Sequence, residues 1–218
     1  MKKREIRSFV RREGKNFKNL MQYWERLWPI YGLEILDLAS LEKPLHLEIG
    51  FGTGEALYEA AQMEPGLEFL GVEVYQTGVC KVLKLLEEFG PLPNLKVACV
   101  DAVELIHALK PNSLLRVQLL FPDPWPKKKH HKRRLIQTSL FDDLMASKLI
   151  SGGQIRILTD WEDYALDILG LAQGLKVFIL LRHQIFSPEQ ARDCFRTKFA
   201  QKGIAAGRSI HEIVFKKI

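Results

Sequence analysis

The sequence predicts a doubly wound α/β fold: one mostly parallel sheet of seven strands with helices on both faces. Three observations carry this. Apolar runs of strand length alternate with helical patterns along most of the 218-residue chain. The runs are mostly continuous rather than alternating, as expected where helices cover both faces of a sheet. Glycine-rich and acidic residues recur just after the runs, at the strand ends where such sheets bind ligands.

Residues 1–30 are expected to form a basic amino-terminal segment with an amphipathic helix, and residues 31–218 a single domain. Phe17, Leu20, Met21, Trp24, Leu27 and Trp28 recur at helical spacing within 16–28. Strands are expected at 45–49, 67–74, 95–100, 114–121, 153–158, 176–182 and 211–215. Helices are expected at about 55–63, 75–89, 102–109, 136–149, 161–172 and 188–202. With 47% hydrophobic residues the chain is long enough to bury a full core. The longest apolar runs, such as Val177 to Leu181, are too short to span a bilayer or form a signal peptide, so a soluble protein is expected. Cys80, Cys99 and Cys194 are scattered and lack C-x-x-C pairing, which argues against a disulfide framework or zinc site and fits a reducing cytoplasm.

The net charge of +6 is unevenly placed. Residues 1–28 carry +6, and residues 127–134 (Lys-Lys-Lys-His-His-Lys-Arg-Arg) carry another +6 with histidines neutral, leaving −6 for the rest. An acidic domain with two basic patches suits a polyanion whose phosphates follow a defined path.

The first strand closes in Glu48-Ile49-Gly50-Phe51-Gly52-Thr53-Gly54 and opens a helix. Glycines permit a tight turn against which a ligand can lie. A dinucleotide loop would need G-x-G-x-x-G, but the third glycine comes one residue early and Glu55 stands in its place. A carboxylate at Glu48 would repel phosphate and suits the cationic aminoacyl end of S-adenosylmethionine. Glu73, ending the second strand, can accept from ribose hydroxyls. Asp101, followed by Ala102 after the third strand, can accept from an adenine amine. Each carboxylate taken singly could instead cap a helix. Three in succession beside a glycine-rich turn predict an adenosyl ligand.

After the fourth strand, Pro122-Asp123-Pro124-Trp125-Pro126 presents Asp123 on a stiff loop, because prolines fix the backbone. The basic run 127–134 follows directly. His130 and His131 have no third ligand at useful spacing, so no metal site is expected and phosphate contact is the better reading.

Glu-Ile-Gly-Phe-Gly-x-Gly, Gly-Val-Glu, Phe-Pro-Asp-Pro-Trp-Pro-Lys-Lys-x-His-His-Lys-Arg-Arg, Thr-Asp-Trp-x-x-Tyr-Ala and Thr-Lys-Phe occur in that order. Together they resemble the bacterial tRNA (guanine-N7-)-methyltransferase family, from about residue 46 to the carboxyl terminus. The resemblance implies a Rossmann-like class I methyltransferase sheet and transfer of a methyl group from S-adenosylmethionine to N7 of a variable-loop guanine (position 46) in tRNA. It implies cofactor contacts at Glu48, Gly50, Gly52, Gly54, Glu73, Asp101, Ala102 and Asp123, with Asp123 catalytic. It also implies substrate contacts at Lys127, Asp160 and Thr197. RNA contacts are implied at Lys128, Lys129, His130, His131, Lys132, Arg133 and Arg134. Ala200 stands where the family's Thr-x-x-Glu pair has its Glu, and Gln201 would face about 100° further around a helix. The partner is expected to be tRNA, with no membrane or metal, and the protein a monomer or homodimer.

Guanine N7 has a free lone pair, so its methylation needs no base; it creates positive charge on the purine. A fixed carboxylate, Asp123 or Asp160, would orient the base and stabilise that charge. Asp160 could equally cap a helix, and Trp125 and Trp161 could stack on the base or pack in the core. Three other readings remain: a methyltransferase of an exocyclic base amine, a non-catalytic RNA-binding module, and a nicotinamide oxidoreductase. The separated prolines around Asp123, the retained carboxylates and the glycine spacing count against them in turn.

Overall fold

The structure, a computed structural model, describes Ser8, residues 17–41 and residues 43–218. Residues 1–7 and 9–16 of the amino-terminal basic segment therefore lie outside the described residues. The strands are β1 (Leu45–Ile49), β2 (Glu68–Val72), β3 (Leu95–Ala98), β4 (Leu114–Leu120), β5 (Leu149–Thr159), β6 (Phe178–Phe186) and β7 (Ile210–Lys217). They form one sheet in the order β3-β2-β1-β4-β5-β7-β6. β1 to β5 run parallel, and β7 lies antiparallel between β5 and β6. The order reverses between β1 and β4, which makes their carboxyl ends the topological switch point where doubly wound sheets bind ligands.

The helices are α1 (Phe17–Tyr31), α2 (Glu55–Met63), α3 (Gln76–Phe89), α4 (Ala102–Ala108), α5 (Ala146–Lys148), α6 (Glu162–Leu171), α7 (Pro188–Cys194) and α8 (Lys198–Ala205). One sheet face buries Leu47, Val72, Leu119 and Ile157 against Leu105, Ile106, Phe141 and Ile168. The other buries Phe69 and Val97 against Leu57, Val79, Val82 and Leu83, with Trp24 and Trp28 of α1 packed outside them. Those two indoles, one helical turn apart, stack with centroids 4.0 Å apart. Past α1, Leu33 N–H donates to Val97 O at 2.8 Å, tying the helix to β3. A third cluster, including Phe121, Phe195, Ala200, Ile204 and Ile210, covers the carboxyl ends of β4, β5 and the start of β7.

Four expectations need revision. The single helix at 188–202 is two, α7 and α8, separated at 195–197 where Thr197 caps the second. The helix at 136–149 shrinks to a π-helical segment, Ser139–Met145, continued by α5. β5 then begins at Leu149, with a register shift against β4 that absorbs the glycine pair 152–153. β6 continues to Phe186 because β7 pairs with it along that whole length. Among the described residues no helix is long and apolar enough to cross a membrane.

His46, at the second position of β1, is buried and stacked on Phe69. Neither of its ring nitrogens has a hydrogen-bond partner among the described residues. Burial, and secondarily the Arg116 charge, lower its pKa to about 4. The folded state therefore favours neutral imidazole. The resulting stability is complete above the unfolded pKa of about 6.5 and is lost as pH falls toward 4. Between pH 7 and pH 4.5 this costs roughly 2–3 kcal/mol. Urea titrations at pH 7 and pH 4.5 should show a change in stability less unfavourable by about that amount for His46→Phe than for the native chain; equal changes would contradict it.

Candidate active site

The carboxyl ends of β1, β2, β3 and β4 surround a cavity of about 210 Å³. Its lining includes Gly50, Gly52, Glu73, Asp101, Ala102 and Asp123 from the sequence reading, joined by Ser8, Tyr75, Leu135 and Phe199. Gly50 and Gly52 have φ of +70° and +62°, the left-handed region that glycine adopts without steric cost. A Cβ at Gly50 would meet nothing within 4 Å. The turn is bare where it faces the cavity, a cradle that a side chain would fill. Gly54 serves packing instead, since a Cβ there would stand 2.6 Å from Val82 Cβ.

Glu73 does two jobs at once. Its Oε2 accepts from Gly52 N–H at 3.0 Å, and its Oε1 accepts from the N–H groups of Val74 (2.7 Å) and Tyr75 (3.1 Å). Three of roughly four lone-pair directions are used, leaving one open to a ligand. Asp101 likewise caps α4, accepting from Val103 N–H at 2.8 Å through Oδ1 alone. The capping and ligand readings of these carboxylates are thus compatible in one geometry.

Glu48 stands apart from the main cavity. It lines a smaller one of about 30 Å³, shared with Gly50, Gly52, Thr53, Thr197 and Phe199. Among the described residues, Gln118 Nε2 alone, at 3.2 Å, donates to its carboxylate. Burial raises its pKa to about 7, although the Gln118 hydrogen bond and the Arg156 charge oppose this. Asp123 opens onto the main cavity, and desolvation by the surrounding walls holds it above the usual carboxylate range. Burial also raises Glu73, with the charge of Asp123 adding to the effect. Glu48, Glu73 and Asp123, each pushed toward the neutral form, suit a ligand that brings positive charge.

Asp123 sits between two strained residues. Phe121 and Trp125 have φ of +54° and +44°, conformations costing roughly 1–3 kcal/mol each for non-glycine residues. The indole of Trp125 donates to Ser8 O at 3.0 Å. Arg133 lies over its ring, 4.9 Å from the centroid, and His130 meets its edge. Lys127 precedes a 3₁₀ turn, Lys128–Arg133, on which Lys128, Lys129 and Lys132 are exposed. His130 is lowered below the ordinary imidazole range, by desolvation first and then by Lys129, Arg133, Lys127 and Lys132. His131 lies 3.6 Å from Asp163 Oδ2. Arg134 does not join the exposed cations: it is buried and paired with Asp163 and Asp167.

Asp160 is in a different cleft, of about 590 Å³, with Trp161, Glu162, Asp163, Arg208 and His211. Arg208 donates twice to its Oδ2, at 2.9 Å and 2.7 Å. A Cβ at Gly203 would meet that same Oδ2 at 2.6 Å, so Asp160 also sits hard against α8. Thr197 caps α8 by accepting from Ala200 N–H at 3.2 Å. Ala200 is fully buried in the third cluster, and Gln201 is turned back to donate to Phe195 O at 2.9 Å. Position 200 thus holds a core methyl group, and Gln201 is engaged elsewhere. Arg208 had no motif to announce it, nor did Ser8 or Leu135, whose places depend on tertiary contacts, whereas Phe199 closes the Thr-Lys-Phe motif.

Comparisons with known proteins agree with this geometry. The sequence model of a family described as "Putative methyltransferase" matches residues 42–213. A tRNA (guanine-N(7)-)-methyltransferase of Halorhodospira halophila is 41% identical, covering 98% of this chain and 95% of its own. One from Escherichia coli O139:H28 is 42% identical, covering 99% and 92%. A solved antibiotic-related methyltransferase, 16% identical, superposes with a TM-score of 0.59 over 84% of this chain and 94% of its own, which supports the fold. With its glycine cradle and Asp123 loop on neighbouring strand ends and near-full-length similarity at this level, the chain belongs to the tRNA (guanine-N7-)-methyltransferase family of class I methyltransferases.

Proposed function

We propose that this protein transfers a methyl group from S-adenosylmethionine to N7 of a variable-loop guanine in tRNA. One observation carries the reading: the bare glycine turn after β1 and Asp123 after β4 face a single cavity beside an exposed basic turn. When bound, S-adenosylmethionine supplies a methyl group on a positively charged sulfur, which keeps its electron pair as the methyl leaves.

The remaining work falls to the chain. Glu73 keeps one acceptor direction for a ribose hydroxyl, and Asp101 Oδ2 is available to the adenine edge. Ala102 closes the cavity wall beside it. Glu48 and Thr197 line the adjoining space across the glycine turn, suited to the aminoacyl end. Asp123 is the catalytic carboxylate: it faces the donor edge of the guanine and stabilises the positive charge that develops on the purine. It removes no proton, because N7 carries none. Asp160 is the weaker candidate for this role, since Arg208 already neutralises it outside the cofactor cavity. We assign Asp160 and Lys127 to substrate positioning at the edges of the site. Lys128, Lys129, His130, His131, Lys132 and Arg133 form the face that meets phosphates, with tRNA as the partner.

Asp123→Ala should abolish methyl transfer while tRNA affinity stays within a few-fold, because phosphate contacts dominate RNA binding. More than a tenth of native turnover at saturating substrates would refute the assignment.

Glu73→Ala should weaken S-adenosylmethionine binding by roughly 1–3 kcal/mol, from the lost acceptor and the loosened Gly52 N–H. Calorimetry without RNA measures this, and an unchanged Kd would leave Glu73 a clamp of the turn alone.

Replacing Lys128, Lys129, Lys132 and Arg133 together by Ala should flatten the slope of log tRNA affinity against log salt by about three units, one phosphate per cation. The fold should survive, since exposed charges contribute little to stability. A parallel salt slope would show that these cations do not meet phosphates.

A further inference from the structure

Arg134 closes the basic run, yet its environment is the opposite of its neighbours'. Its side chain is 3% exposed, whereas Asp163 and Asp167 opposite keep more than half of their surface in solvent. The guanidinium lies 4.7 Å from the centre of the Tyr164 ring. One NH2 group donates to Asp163 Oδ2 at 2.6 Å and the other to Asp167 Oδ2. The Arg134 hydrogen bond is the main cause of the lowered Asp163 pKa. The third donor, Nε, reaches Pro124 O at 2.8 Å. Pro124 is the residue after Asp123, and the segment from Phe121 to Trp125 holds two left-handed non-glycine residues. Such conformations persist only where the surroundings over-determine them.

We propose that Arg134 is a positioning residue of the methyl-transfer site: it braces the Asp123 loop against α6 by holding the Pro124 carbonyl, and it does not bind tRNA. The planar guanidinium suits this because it can satisfy two carboxylates and a carbonyl in fixed directions, which an ammonium cannot do. Asp163 and Asp167 fix the guanidinium, and Nε transmits that position to the loop. The role rests on the proposed methyl transfer to tRNA, but its effect on the loop can be read without it.

The test compares the native protein with Arg134→Lys, which keeps the charge, and with Asp167→Asn, which loosens the guanidinium without emptying its site. Turnover is measured per cofactor-binding site, beside tRNA affinity at several salt concentrations and hydrogen exchange across 121–125. Bracing predicts at least a tenfold loss of kcat for Arg134→Lys and a several-fold loss for Asp167→Asn, because small misplacements of a reacting group are costly. The cofactor Kd, tRNA Kd and salt slope should hold, while the amides of Asp123 and Trp125 exchange faster. A salt slope flattened by about one unit with kcat intact would make Arg134 a phosphate ligand and overturn the proposal. So would unchanged kcat and loop exchange with a lower Tm, which would mark a brace of the fold alone. If Arg134→Lys fails to fold, Asp167→Asn decides, and its unchanged kcat and exchange would overturn the proposal. A native protein that methylates no tRNA would refute the functional reading instead, and loop exchange would still report on Arg134.

Discussion

Ile49 and Leu119 lie opposite each other in the parallel pairing of β1 with β4, and nearly everything at the site follows from that register. Both strands run the same way, so the glycine turn leaving β1 and the Asp123 loop leaving β4 emerge at one edge of the sheet. Because the strand order reverses there, α2 and α4 pack on different core clusters instead of closing over the gap. The gap is the cavity. Antiparallel pairing would have sent Asp123 to the far edge. α3 then presses on the turn from behind: a Cβ at Gly78 would stand 2.4 Å from Gly52 O. The cradle is held from below by Glu73 and from behind by Gly78.

The electrostatics are arranged across the sheet. Glu48 on β1 accepts from Gln118 on β4 (3.2 Å), and Gln118 Oε1 accepts from Arg156 on β5 (3.1 Å). Arg156 Nε reaches Glu212 on β7 (2.6 Å), which also takes Arg182 of β6 at 3.0 Å. The row crosses five neighbouring strands, yet positive charge is concentrated at the Glu212 end. Glu48 receives a neutral amide, and so it is poised near neutrality where a salt-bridged carboxylate would be ionised. That serves a site meant for a cationic ligand, since a carboxylate already paired with Arg would have to lose that partner. Glu73 and Asp123 follow the same logic, both raised by burial.

Much of this was legible in the sequence, and what was not has physical reasons. The five central strands show as apolar runs because helices cover both faces. The glycine spacing and the strand-end carboxylates could be placed because a doubly wound sheet fixes where such residues meet. The break between α7 and α8 was invisible: no Gly or Pro interrupts 188–202, and only the cap of Thr197 on Ala200 N–H marks it. The strand expected at 153–158 begins earlier, at Leu149, because the glycine pair at 152–153 is absorbed as a bulge within β5. β6 extends past its apolar run, since the ladder to β7 supplies the order its exposed sequence does not. Arg134 differs from the other cations of 128–134 for a related reason, being buried and paired: charge is a property of sequence, whereas a free charge is a property of partners.

A signal for that distinction did exist, some thirty residues downstream. Asp163 and Asp167 lie one turn apart on α6, a like-charged i, i+4 pair that destabilises an isolated helix. Two such carboxylates flanking a buried Tyr ask for a cation between them, and the ring face of Tyr164 favours the same thing. Arg gives donors to both and keeps a third for a carbonyl in one rigid planar fork, where the three donors of an ammonium converge on a single rotating nitrogen. The loop needs that third bond more than most, because its alternate prolines donate no backbone hydrogen bonds of their own. Stiffness in the Asp123 loop thus has two sources: prolines limit the conformations available, and a buried guanidinium chooses among them. The exposed lysines beside it can then vary in position without moving the carboxylate.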